Sequence, residues 1–146
     1  MNERELAEAL AQVPLFAAVP PKELSRLARS FGEQNFEAGR EIVVEGRPSG
    51  VGFFVIESGT AAVTRGGQEI RQLGPGDWFG EMALIDRGPR SATVTARSDL
   101  RCHAMTPFSF RPVVEAHGEI AWSMLEGLVA RLREAEARTD TGPASG

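Results

Sequence analysis

"FEAGREIVVEGRPSGVGFFVIESGTAAV", residues 36–63, alternates apolar and polar positions and breaks at glycines. Ile42 and Val44, then Val51, Phe53 and Val55, then Ala61 and Val63 recur at every second position. Successive side chains of a β-strand point to opposite faces, so this spacing turns one face of each segment toward a core. "EAGR", "VEGRPSG" and "ESGT" separate the segments with glycines that can take positive φ. The same period returns in Ala92, Val94 and Ala96 and in Leu100, Cys102 and Ala104, with "RGGQ" and "GPGDW" as further turns. Twelve of the chain's 16 glycines fall between Gly32 and Gly88. Short strands punctuated by turns roughly every 8–12 positions predict a compact antiparallel β-roll over residues 31–106.

Outward from that core the period changes to helical. Over residues 1–30, Leu6, Ala9 and Leu10 share a face that Pro14 ends. Leu24, Leu27 and Ala28 then mark a second helix, with Pro21 suited to its first turn. Beyond the roll, Thr106-Pro107 reads as an N-cap with proline at the first helical position. A helical segment over 107–138 follows, in which Ile120, Ala121, Met124, Leu125, Leu128 and Leu132 form an apolar stripe. That stripe has two readings: packing on the chain's own β-roll, or pairing with a second copy as a coiled-coil homodimer. "TDTGPASG", residues 139–146, reads as a flexible tail. The expected class is α+β, mainly β: one domain over 1–146, a jelly roll (double-stranded β-helix) flanked by helices.

Composition excludes several functions. A formal charge of −4 argues against a surface built mainly for nucleic acid, although one basic pocket remains compatible. No window reaches the roughly 20 consecutive apolar residues of a membrane span, and the charged N-terminus has no signal-peptide core. Cys102 is the single cysteine, so no internal disulfide calls for an oxidising compartment. Its place between Leu100 and Ala104 suits a buried, inert thiol. The expected location is the cytoplasm. His103 and His117 stand fourteen residues apart, outside ligand-like spacing, and no metal site is expected. No Gly-x-Ser-x-Gly elbow or paired-acid site appears, so no catalytic residue is assigned and the chain is expected not to be an enzyme.

One segment carries chemistry: "FGEMALIDRGPRSATVTA", residues 79–96. Read plainly, Phe79-Gly80 ends a strand, Glu81 to Leu84 makes one helical turn, and Glu81 with Arg90 forms a surface ion pair. The combination supports a second reading. A short helix after a glycine offers unpaired backbone N–H groups that bind anions. Gly80 has no Cβ to keep an anion off the backbone. Arg90 brings back a planar fork suited to two phosphate oxygens, and Ser91 adds a hydroxyl. Glu81 cannot hold an anion itself, but a carboxylate beside a phosphate site accepts from sugar hydroxyls. Together these suggest a sugar phosphate, more narrowly a nucleotide.

The segment resembles the phosphate-binding cassette of cyclic nucleotide-binding domains, here over residues 79–92. The family pattern of Phe-Gly-Glu, Leu, Pro-Arg-Ser/Thr-Ala and an alternating strand is met by Phe79, Gly80, Glu81, Leu84, Pro89, Arg90, Ser91, Ala92, Val94 and Ala96. "LFAAVPPKELSRLA" is similar to the family's helical lead-in, and "HGEIAWSMLEGLVARLREAE" to its C-terminal hinge and lid helices. The resemblance implies that Arg90 pairs with the cyclic phosphate, joined by the backbone of Gly80, Glu81, Met82, Ala83 and Leu84 and by Ser91. It implies further that Glu81 accepts from the ribose 2′-hydroxyl and that Leu84 contacts the C-terminal helix as a hinge. Candidate lid residues are Arg131, Arg133 and Glu136, each of which also fits a solvated helix face. The implied ligand is cAMP, with cGMP the alternative, and no other cofactor. Movement of the C-terminal helices would pass the signal to an unidentified downstream protein. Two other readings keep the fold: an excised sensor domain of a larger cAMP-responsive transcriptional regulator, and a ligand-free interaction domain.

Overall fold

A computed structural model describes residues 1–47, 52–86 and 88–139. The expected position Val51 and the tail over 140–146 lie outside the described residues. Helices α1 (Glu3–Ala11) and α2 (Pro21–Ala28) flank a 3-10 turn, Pro14–Phe16. Eight strands follow: β1 (Gly32–Phe36), β2 (Glu41–Val43), β3 (Phe53–Ser58), β4 (Ala61–Arg65), β5 (Gln68–Leu73), β6 (Trp78–Phe79), β7 (Thr93–Ala96) and β8 (Leu100–Met105). A second 3-10 turn, Glu81–Leu84, lies between β6 and β7. Helices α3 (Pro107–Ala116) and α4 (Gly118–Thr139) end the described chain.

The strands form two antiparallel sheets ordered β1-β8-β3-β6 and β2-β7-β4-β5. Early strands pair with late ones (β1 with β8, β2 with β7, β3 with β6, β4 with β5), which is a long hairpin rolled into a jelly roll. The α+β, mainly β, expectation holds.

β3 explains how the layers assemble. Phe53, Phe54, Val55 and Ile56 are all fully buried, so this strand shows no alternation. Phe53 and Val55 face the helices, alongside Leu10, Phe16, Leu24, Leu27, Phe110 and Ile120. Phe54 and Ile56 face into the roll, against Leu73, Phe79, Val94, Leu100 and Cys102. Both sheet faces are covered, and a strand covered twice becomes a continuous apolar run. Each phenylalanine buried this way contributes roughly 1.5–3 kcal/mol of transfer free energy. The Phe54 ring also stacks on Phe79, at 4.9 Å between centroids, and so anchors the strand that leads into the cassette.

The helices start where the sequence places them, with small differences. α1 carries a capping box between Asn2 and Glu5 and closes at Ala11, three residues before Pro14, which instead opens the 3-10 turn. Its buried face is Leu6, Ala7 and Leu10, with Ala9 only partly covered. The Thr106 hydroxyl accepts from the Ser109 amide at 3.1 Å, capping α3. α4 extends through Thr139, a position expected in the tail, and the Thr139 hydroxyl donates to the Ala135 carbonyl at 3.0 Å. The apolar stripe of α4 divides. Ile120 and Met124 are buried against the chain's own core, whereas Leu125, Leu128 and Leu132 are exposed, as are Trp122 and Val129. Gly127 permits close approach to the N-terminal segment, since an added Cβ there would come 3.2 Å from the Ala18 Cβ.

Two chemistry-bearing residues outside the cassette have structural surroundings that account for them. Cys102 is buried, and desolvation pushes its thiol up to about 12. The His103 Nε2 lies 2.8 Å from Glu57 Oε1. Among the described residues, no group of three or more His, Cys, Asp or Glu side chains could hold a metal ion. No helix among them is long and apolar enough to cross a membrane.

Candidate functional site

β6 delivers the chain into the roll through the Phe54–Phe79 stack, and Gly80 turns it at φ +85°. That left-handed conformation favours glycine. The turn is also crowded: a Cβ on Gly80 would collide with the Gly52 carbonyl oxygen and lie 2.7 Å from Arg90 Nη1. Gly80 thus lets the cassette, the chain entering β3 and the arginine meet at one point. The turn Glu81–Leu84 follows, with Ala83 and Leu84 buried and Met82 exposed. Asp86 shapes the return loop by accepting from the Gly88 amide at 2.9 Å.

Arg90 is held by its backbone and by its side chain. Its amide donates to the Arg47 carbonyl and its carbonyl accepts from the Gly46 amide, both at 2.9 Å. Nη2 donates to the Gly52 carbonyl at 3.1 Å. Nε is buried and has no hydrogen-bond partner among the described residues. Burial lowers the pKa of this guanidinium, and the nearby Glu81 carboxylate offsets the shift in part. The two form no ion pair in the structure, which removes the plain surface-pair reading of Glu81 and Arg90. A desolvated cation with an unused N–H is the condition that an incoming anion would relieve.

A cavity of about 600 Å³ opens in front of this group, a size suited to a small ligand. Gly80, Glu81, Met82, Ala83, Arg90 and Ser91 all border it, so the structure brings together residues up to eleven positions apart. Leu84 does not border it; it sits in the helix-side core with Phe110, Ile120 and Met124. The Ala83 amide already donates to the Gly80 carbonyl at 3.1 Å, so it is committed to the turn. Arg131, Arg133 and Glu136 are exposed on α4 and do not line the cavity.

Sequence reasoning missed the rest of the wall. Val43, Val63 and Val94 supply apolar lining from β2, β4 and β7. Val63 and Val94 are cross-strand partners and belong to the period-two set, so their inward direction was available as a signal. Gly52, the acceptor for Arg90, had none, because nothing local ties it to a residue 38 positions away. Arg65 and Arg71 also border the cavity. Their place follows from the β4–β5 register, which shifts between Val63 and Thr64.

A family model for the cyclic nucleotide-binding domain matches residues 33–117, more than half of the chain. The chain belongs to the cyclic nucleotide-binding domain family. A regulatory subunit of cAMP-dependent protein kinase from Hypocrea atroviridis is 32% identical over 130 residues, covering 89% of this chain and 26% of that protein. A cGMP-dependent protein kinase from Toxoplasma gondii is 39% identical over 101 residues, covering 69% of this chain and 10% of that protein. The chain therefore spans about a quarter or less of the length of these curated relatives. Among solved structures, the N-terminal domain of a transcriptional regulator from Streptomyces coelicolor A3(2) matches with a TM-score of 0.78 at 29% identity. That match covers 92% of this chain and 99% of the other chain.

Proposed function

We propose that this chain is a non-catalytic, cytoplasmic sensor module that binds a 3′,5′-cyclic nucleotide, cAMP in preference to cGMP. The observation that carries this reading is the buried, unpartnered Arg90 Nε beside Gly80, Glu81 and Ser91 at the edge of a nucleotide-sized cavity. A cyclic phosphate offers that fork two oxygens, and the apolar wall of Val43, Val63 and Val94 suits a base. The preference for cAMP rests on relatives such as the Hypocrea kinase subunit, and the Toxoplasma cGMP-dependent kinase keeps cGMP in view. Calorimetric titration with cAMP, cGMP and linear AMP tests the reading: binding of the cyclic nucleotides only, cAMP more tightly, supports it. Equal binding of linear AMP, or no binding of either cyclic ligand, would end it.

Glu81 acts on the sugar. Its carboxylate borders the cavity beside Arg90 without neutralising it, so it is free to accept from a ribose 2′-hydroxyl. Glu81→Ala is expected to reduce the preference for cAMP over 2′-deoxy-cAMP by roughly tenfold, the worth of one charge-assisted hydrogen bond. An unchanged preference, measured by competition binding, removes Glu81 from the site.

Signalling in this reading is a population shift of the C-terminal helices. No residue of α3 or α4 lines the cavity, so capping it requires α4 to move; Leu84 shares the helix-side core with Phe110, Ile120 and Met124 and so links the cassette to the C-terminal helices. Arg131, Arg133 and Glu136 are the residues that such a movement would bring toward the base. Identical α4 positions in ligand-free and ligand-bound crystals would contradict it. Trp122, Leu125, Val129 and Leu132 follow the three- and four-residue spacing of a coiled-coil seam and are all exposed. A homodimer through α4 is expected to appear as twice the chain mass in light scattering, falling to one chain mass for Leu125→Glu with Leu132→Glu. A monomeric parent protein at the same concentrations discards it. The Streptomyces neighbour favours the further reading that the module is the sensor domain of a larger transcriptional regulator. The partner that reads the switch would then be a second domain or a separate protein.

A further inference from the structure

Helix α4 has two faces set back to back. At about 3.6 residues per turn, Ile120, Met124 and Gly127 fall on one side of it. That side belongs to the chain's own fold: Ile120 and Met124 are buried in the helix-side core, and Gly127 lies against Ala18. Trp122, Leu125, Val129 and Leu132 fall on the opposite side, each at least half exposed. They occupy the a and d positions of a heptad in which Trp122 and Val129 are a. Leu128, also exposed, is the g residue beside them, and Glu126 and Arg133 are the e residues. Both charges are exposed, and among the described residues neither makes an ion pair.

The charges choose the direction in which a second copy covers this face. In a parallel pair the flanking contacts run from g to e, so Arg133 would meet Leu128 and Glu126 would meet Ala121. Neither charge then finds an opposite one, and Glu136, the next a residue, would face its own counterpart. In an antiparallel pair a packs against d, and e flanks e. The register that pairs all four apolar residues sets Trp122 against Leu132 of the second copy and Leu125 against its Val129. The two-fold axis then lies level with Gly127. Side chains on a helix lean toward its N-terminus, so on antiparallel helices Glu126 and Arg133 of the second copy lean toward each other. Symmetry makes that pair twice. On the other flank Leu128 meets Leu128, and Glu136 comes opposite Gly118 instead of a like charge.

We propose that α4 pairs with a second copy of this chain as an antiparallel two-stranded coiled coil, sealed by the Trp122, Leu125, Val129 and Leu132 seam and oriented by reciprocal Glu126–Arg133 ion pairs. The inference rests on the homodimer reading above and gives that dimer its direction: the two domains lie on opposite sides of the helix pair, and the two α4 helices run apart. Leu125→Cys and Val129→Cys test it in the full chain, where the native Cys102 is buried. Under mild oxidation the equimolar mixture is expected to form a disulfide-linked heterodimer, resolved on a non-reducing gel by a tag on one partner. Neither variant alone should link to itself; in a parallel pair that pattern reverses. Charge reversal gives a second readout without a new thiol. Glu126→Arg and Arg133→Glu are each expected to weaken the dimer about tenfold in sedimentation velocity, since each makes both pairs repulsive. Combined in one chain, the two reversals should restore wild-type association. Self-linked variants, an unlinked mixture, or reversals that change nothing or fail to recover together overturn the antiparallel assignment while leaving the homodimer in place. A monomeric wild type overturns both.

Discussion

Arg90→Ala is expected to weaken cyclic nucleotide binding by two to three orders of magnitude, read by calorimetry. In the proposed complex the guanidinium and the phosphate would share the half-buried corner that Arg90 occupies. Truncating one member of a hydrogen-bonded buried charge pair costs about 2–5 kcal/mol. The unliganded protein should respond differently. Arg90 is already desolvated, its Nε has no partner, and its side-chain bond in the described structure goes to the Gly52 carbonyl at 3.1 Å. Losing that bond removes about 1–3 kcal/mol, and releasing the burial cost of the cation returns part of it. The melting temperature of the empty protein is therefore expected to change by only a few degrees while affinity collapses. Arg90→Lys keeps the charge without the fork and should recover only part of the binding. Wild-type affinity in Arg90→Ala would show that the cavity does not use this residue.

The second large effect is expected at Gly80, where fold and site meet. Gly80→Ala incurs about 1–2 kcal/mol for an L-residue at φ +85°, and it also drives a methyl group into the Gly52 carbonyl and against Arg90 Nη1. The Arg90 tip can retreat, but the Gly52 backbone is continuous with β3, which is buried on both faces. The combined penalty is about 2–4 kcal/mol, a fall of roughly 5–15 °C in melting temperature for a chain of this size. Binding should drop about as far as in Arg90→Ala, because the methyl displaces the guanidinium itself. Gly39→Ala is an internal control: its φ of +92° carries the same backbone strain, but nothing lies within 4 Å of the added methyl. A smaller loss of stability with intact binding is expected there. Gly80→Ala protein that melts and binds like the parent would refute this role for Gly80.

The strands that local pattern found and those it did not differ in a physical way. β7 and β8 alternate in burial, visibly in Val94 and Ala96 and in Leu100 and Cys102, whereas β4 buries the adjacent Ala61 and Ala62 and leaves Val63 half-buried at the cavity. β1 and β5 gave almost no signal, since each has one buried residue, Phe36 and Leu73 respectively. They are edge strands, and the inward face of β5 borders an open cavity, where Arg71 is as acceptable as a valine. The α4 stripe was visible as a stripe, but its division into a buried start and an exposed remainder was not. Amphipathicity records that a face is apolar; what covers that face depends on elements distant in the chain.

The order of helices, roll and helices, the glycine that turns the cassette, and the Gly80-Glu81 and Arg90-Ser91 pairs were all decided by sequence, because turn chemistry, hydrophobic period and phosphate-binding residue types act over a few neighbouring positions. Tertiary structure alone decided that Gly52 receives Arg90, that Nε is left without a partner among the described residues, and that Arg71 shares a wall with Val63. Each of these depends on strand register and on the approach of backbones far apart in the chain, and a register is set by the whole packed roll rather than by any one segment of it.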